Sequence, residues 1–235
     1  DFGIHKDKQF YISDWVGGRF SITSAMGLPL ACMIGMDNFY RFLDGARLMD
    51  MHFKNASFDL NMPVILAMLS IYYTNFHNVQ SQAIICYGDR LTHFTDFVRQ
   101  LHMESLGKRT KIDGSPVNVN TGNVIWGGSG SDGQHSYFQL LHQGSYTIPI
   151  DFIVDAGVSD DQMDTYSLAN CLAQSESLMA GMQEADPERS IDGDKPNNVI
   201  LVNKLSPQSI GQLVSLYEHK VFVQSVIYGI NAFDQ

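Results

Sequence analysis

The sequence predicts an α/β protein, a three-layer αβα sandwich around a mostly parallel sheet, with a helical lead-in. Three observations point there. Four short apolar runs, AIICYG, NVIWGG, IPIDFIVDA and NNVILVNKL, alternate with helix-like stretches, and that order builds a sheet with helices on both faces. The runs are apolar at consecutive positions, as strands covered on both sides must be. With 235 residues, 44% hydrophobic and 17% charged, the chain is long enough to bury such a core.

Taken in order, residues 1–61 read as a mostly helical lead-in. SITSAMGLPLACMIG follows a glycine pair, and NFYRFLDGARLMDMHF spaces its apolar residues helically. After Pro63, VILAMLSIYYTNFH is apolar nearly all round and reads as a buried helix. The domain proper then runs over 62–228. Strands are expected at 83–88, 123–128, 148–156 and 197–205, and helices at 90–106, 134–143 and 168–179. Ser206-Pro207 supplies the N-cap and first residue of a final helix. The acidic stretch 182–198 reads as a surface loop, and 229–235 as the start of a further C-terminal segment. In sheets of this kind ligands gather beyond the carboxyl ends of the strands, so functional residues are expected just after strands.

Charge and cysteine use narrow the function. Net charge is −10, and the longest basic run is the short GKRTK at 107–111, which argues against nucleic acid or an anionic membrane as partner. An anionic ligand would need a local positive site. Cys32, Cys86 and Cys171 lack CxxC spacing, so neither a disulfide framework nor a zinc site is expected, and a reducing cytoplasm fits best. The apolar run at 62–73 is too short to span a bilayer. The histidines show no HxxxH or HExxH spacing, so no metal is expected.

Three stretches hold residue types suited to chemistry. In DWVGGRFS (14–21), two glycines permit close backbone approach and Arg19 is a permanent cation able to grip an oxyanion; taken alone, an ordinary glycine turn with a salt-bridged arginine is the plainer reading. In WGGSGSDGQHSYFQLLHQG (126–144), Ser131 or Asp132 is expected to cap a helix, which puts His135 in its first turn. There the dipole favours a neutral imidazole ready to accept a proton. A flexible turn with a capping histidine fits as well.

The third stretch is RQLHMESLGK (99–108). At about 100° per residue, Leu91, Phe94, Phe97 and Leu101 form one stripe, and Glu104 projects about 20° from Phe97 with Gln100 beside it. Asp96 and Arg99 point away. A carboxylate on the packed side, near the negative end of the helix, is expected to have its pKa raised towards neutrality, which suits a general base. A solvated last-turn glutamate is the plainer alternative.

Together these stretches resemble the glucose-6-phosphate isomerase (phosphoglucose isomerase) family. DWVGGRFSITSAMGLPLA is similar to the family's WxGGR[FY]S signature, HMESLGK to its DMESNGK segment, and TGNVIWGGSGSDGQHSYFQLLHQG to its TGPxxWGxxGTNGQHAFYQLxHQG segment. YEHKVFVQSVIYGINAFDQ resembles the start of its C-terminal signature. The motifs follow the family's order across nearly the whole chain.

The resemblance implies a sugar-isomerase (SIS) domain. It implies aldose–ketose isomerisation of glucose 6-phosphate and fructose 6-phosphate, in glycolysis and gluconeogenesis, with no cofactor or metal. It makes Glu104 the base acting through a cis-enediolate, Arg19 the cation beside the developing oxyanion, and His135 an aid to ring opening supplied across a homodimer interface. Gly18, Gln100 and Gln235 would contact the phosphorylated hexose.

Three departures accompany it. The family continues past FDQ with a WGVELGK-like segment whose lysine serves ring opening. Its phosphate-binding Ser/Thr loop belongs to a first sugar-isomerase domain expected before residue 1. Gly128-Ser129 stands where Glu-Pro is common, and Asp132 where Asn is usual. The chain therefore reads as the second half of a longer enzyme, nearly inactive alone. The alternative is a non-catalytic phosphosugar-binding or interaction module.

Overall fold

The computed structural model describes residues 3–157 and 162–233. After three single 3-10 turns come α1 (Leu28–Ile34), α2 (Met36–Asn55) and α3 (Met62–Phe76). Then follow β1 (Ser81–Tyr87), α4 (Phe94–Leu106), β2 (Val124–Ser129), the one-turn α5 (Gly130–Gly133), α6 (Phe138–Gln143) and β3 (Ile150–Asp155). The chain closes with α7 (Gln162–Ala180), β4 (Asn197–Val202) and α8 (Pro207–Tyr228). The four strands pair in the order β2-β1-β3-β4, all parallel, which is the sheet the sequence predicts. The lead-in is less helical than expected. Residues 3–24 are mainly irregular, and regular helix begins only at α1.

Side-chain alternation along the strands divides the core into two layers. Ile84, Cys86, Ile125, Ile153 and Val202 face one way and pack with α2, α4 and α8 through Phe42, Leu101 and Val221. Ala83, Ile85, Tyr87, Phe152 and Val154 face the other way, against Phe138, Leu141, Cys171 and Leu178 of α6 and α7. Period-two exposure with both faces covered is why the strands read as unbroken apolar runs. α3, expected to be a buried helix, buries Pro63, Leu66, Ala67, Ser70, Ile71 and Thr74 and leaves Met68, Tyr72 and Phe76 exposed. Among the described residues, no helix is long and apolar enough to cross a membrane.

Two local devices set the geometry near the site. α2 and α8 cross at Gly45 and Gly211: a Cβ on Gly45 would lie 1.8 Å from the Gln208 carbonyl oxygen, and one on Gly211 2.0 Å from that of Phe42. Only glycine permits that approach. At the end of β2, Gly127 has φ +120, and a Cβ there would lie 2.2 Å from the Ile84 oxygen of β1. The glycines of the 126–130 stretch therefore extend β2 to Ser129 beside β1, three residues beyond the tryptophan that ends its bulky portion.

Candidate active site

Arg19 stands in the single 3-10 turn Gly18–Phe20, directly after the glycine pair. Its side chain is 1% exposed, and two distant stretches of the chain converge on it. Nε donates to Ser105 Oγ at 2.6 Å, Nη1 donates to Glu104 Oε1 at 3.0 Å, and Nη2 donates to the Ala232 carbonyl. A buried guanidinium needs such partners, because its desolvation is otherwise uncompensated. The C-terminal tail is part of this enclosure: the Phe233 ring lies 4.9 Å from that of Phe20, and a Cβ on Gly17 would come within 3.3 Å of the Phe233 oxygen. Gly18 is exposed beside the arginine.

Glu104 is presented by the last turn of α4. Phe94, Val98, Leu101 and Ser105 bury one face of that helix, and Gly107 follows it with its N–H on the Met103 carbonyl. Gln100, one turn earlier, donates from Nε2 to Glu104 Oε2 at 3.1 Å, so the two oxygens are held separately by Arg19 and Gln100. The sequence places Glu104 on the packed flank, and it lies there. Its side chain nevertheless keeps 32% of its exposure, with the Arg19 cation 3.0 Å from Oε1.

Glu104 opens into a cavity of about 730 Å³ lined also by Gly107, Lys108, Arg109, Thr110, Lys111, Ile112 and Asn231. The short basic stretch of an otherwise acidic chain thus borders the carboxylate, a local positive site of the kind an anionic ligand requires. A separate cavity of about 540 Å³, with Ser70, Gln82, Asn123 and Asn198 on its wall, contains none of the sequence-predicted site residues.

The expected position just after a strand fails for Glu104. A Cβ on Gly122, two residues before β2, would lie 3.2 Å from the Leu106 carbonyl carbon, so the end of α4 sits at the amino ends of the strands. The reason is the crossover geometry: α4 leaves the carboxyl end of β1 and runs back beside the sheet, and its last turn finishes where the next strand starts. His135 does lie beyond a strand, but not in a first helical turn. Ser129, rather than Ser131 or Asp132, caps α5, accepting from the Asp132 N–H at 3.4 Å, and α5 ends at Gly133. His135 is exposed in the turn between α5 and α6, beyond the reach of the helix-dipole argument. The structure brings Arg19, Glu104 and Gln100 together and leaves His135 at the other end of the sheet. Gln235 lies outside the described residues.

Sequence reasoning missed Ser105, the Ala232 carbonyl and Asn231. Ser105 was detectable in principle, since it falls four residues after Leu101 on the buried stripe of α4. The two tail groups carry no local signal, because only tertiary folding returns the chain end to the GGR turn. Among the described residues, no cluster of three or more His, Cys, Asp or Glu side chains gathers to hold a metal.

Fold and site define an α/β domain that gathers a buried arginine, a carboxylate and a basic rim at the amino edge of a parallel sheet. The chain belongs to the phosphoglucose isomerase family, whose model matches residues 1–235. It is 49% identical over 257 aligned residues to the glucose-6-phosphate isomerases of Pseudomonas fluorescens and Pseudomonas syringae pv. tomato, covering 100% of this chain and 46% of each relative. The chain therefore spans about half the length of these curated relatives. The crystal structure of a glucose-6-phosphate isomerase from Chlamydia trachomatis superposes with TM-score 0.90 at 35% identity, covering 96% of this chain and 46% of that one. A hypothetical protein of Thermus thermophilus superposes with TM-score 0.74 at 21% identity, covering 95% of this chain and 53% of that one, and supports the fold alone.

Proposed function

We propose that this chain forms the base-bearing half of an aldose–ketose isomerase interconverting glucose 6-phosphate and fructose 6-phosphate. The observation that supports it most is the Arg19–Glu104 pair at 3.0 Å, in which Glu104 lines a cavity with a basic rim. Starting from the open-chain aldose, the Glu104 carboxylate takes the C2 proton, leaving a cis-enediolate with negative charge on the C1 oxygen. Arg19 opposes that charge from a fixed position, at no cost of reorganisation during the step. Glu104 then returns the proton to C1 as the hydroxyl proton moves from the C2 to the C1 oxygen, which completes the ketose. Gln100 keeps the second carboxylate oxygen in place, and with Gly18 and Gln235 it contacts the substrate.

His135 assists ring opening in this reading, and it comes from the second subunit of a homodimer. Two observations favour that origin. His135 follows the carboxyl end of β2 and Glu104 lies at its amino end, and a strand of six residues separates its ends by about 20 Å. The phosphate is held by the part of the enzyme outside this sequence, with residues 62–228 acting as the second sugar-isomerase domain in the cytoplasm. A module that only binds phosphosugars has no need of a carboxylate set against a buried arginine, so the enzyme reading is preferred.

The test is turnover of fructose 6-phosphate by the full-length enzyme containing this chain. Glu104→Gln keeps the shape but removes the base, so kcat falls about 10²–10⁴-fold while substrate affinity is largely kept. Wild-type turnover in that variant would rule out Glu104 as the base.

A further inference from the structure

We infer that Ser105 is a positioning residue for the isomerisation: it sets the plane of the Arg19 guanidinium. The inference rests on the functional reading above and extends it to a residue that does not touch substrate. Ser105 Oγ accepts from Nε of Arg19 at 2.6 Å, and the residue is 0% exposed. Nε is the one guanidinium nitrogen next to the side-chain stem, so a bond there limits rotation of the whole fork. The Nη1 bond to Glu104 and the Nη2 bond to the Ala232 carbonyl then fix the two remaining corners.

Ser105 and Glu104 are successive residues in the last turn of one helix. Their spacing is set by the backbone, so α4 holds base and cation in mutual register. Without the serine hydroxyl the guanidinium keeps its bonds to Glu104 and the Ala232 carbonyl but loses its hinge point. The stacking of Phe20 on the arginine, at 5.5 Å from the ring centroid, is too soft to replace a charge-assisted hydrogen bond. Because Arg19 faces charge that develops only as the C2 proton leaves, its misalignment lowers kcat rather than weakening substrate binding.

The experiment is a double-mutant cycle in the full-length enzyme, with Glu104→Gln run beside it. Ser105→Ala is expected to lower kcat about tenfold with KM changed less than about twofold. Arg19→Lys keeps the charge but has no Nε–H to engage the serine. In that background Ser105→Ala is expected to change kcat by less than about twofold, because the coupling it removes is already gone. Wild-type kcat in Ser105→Ala, an equal loss in both backgrounds, or a loss confined to KM would each overturn the positioning role. If Glu104→Gln loses turnover while Ser105→Ala does not, only the positioning role falls. If Glu104→Gln keeps turnover, the isomerase reading falls and takes this inference with it.

Discussion

Arg19 shows how much of the site depends on single side chains. It is buried, it meets Ser105, Glu104 and Ala232 from two distant stretches, and a GGR triplet alone announces none of this. His102 is a second residue of this kind, two positions before Glu104 and 1% exposed. Burial holds its imidazole down to about 3, the nearby Lys220 charge adds to the effect, and Asn123 opposes it. The folded state thus keeps His102 neutral, whereas the unfolded chain protonates it near its ordinary value of 6.5. Stability from this group is complete above that value and is lost as pH falls from 6.5 towards about 3. Each unit in that window costs up to about 1.4 kcal/mol, so urea unfolding of wild type should weaken between pH 6.5 and 5 more steeply than that of His102→Gln. Equal slopes would show that His102 does not titrate in that way. Composition did not reveal this residue. The helical projection of α4 singled out Glu104 and left His102 among the unremarkable histidines, although its neighbours on the buried face, Val98 and Ser105, lie three or four residues to either side.

At the scale of elements, the central sheet is tied to α8 by a buried polar group in an apolar strand. Asp151 of β3 is 0% exposed, and its carboxylate accepts from Gln82, Asn198 and Tyr217, with the Lys220 ammonium 3.6 Å away. Lys220 itself is 1% exposed and donates to Gln82 Oε1 at 3.3 Å. Removing one partner of such a pair strands the other's charge in the core. Lys220→Met is therefore expected to cost about 3–5 kcal/mol in urea unfolding, with part regained when Asp151→Asn is added. A cost under about 1 kcal/mol for Lys220→Met would mean that water reaches Asp151 and the pair is not buried in solution. The strands were legible in the sequence because both faces are covered and each reads as an apolar run. The Ser206 cap of α8 was legible because capping is local, and the capping box with Ser209 forms as a Ser-Pro start suggests. The turn holding His135 was misjudged because Gly127 and Gly128 continue β2 in a backbone that only glycine readily adopts, which moves the cap back to Ser129. The Asp151–Lys220 pairing, 69 positions apart by subtraction (220 − 151), was invisible to any local pattern.

For the whole molecule, the fold class could be read in full, but only half of the site's geometry. The motifs of the GGR turn, α4 and the glycine-rich loop were each recognisable, yet nothing in their order says that the first two meet while the third stays apart. One chain holds Arg19 and Glu104 at the amino edge of the sheet and His135 beyond its carboxyl edge. If one reaction uses both, each site takes Glu104 from one subunit and His135 from another. Complementation between two inactive full-length variants, Glu104→Gln and His135→Ala, measures this directly. In a mixed dimer with shared sites, one site carries both defects and the other carries neither. Unfolding and refolding the two variants together at equal concentration should restore about a quarter of wild-type turnover, from the half of the dimers that are mixed. Turnover no higher than the sum of the two variants refolded separately would contradict a site shared between subunits.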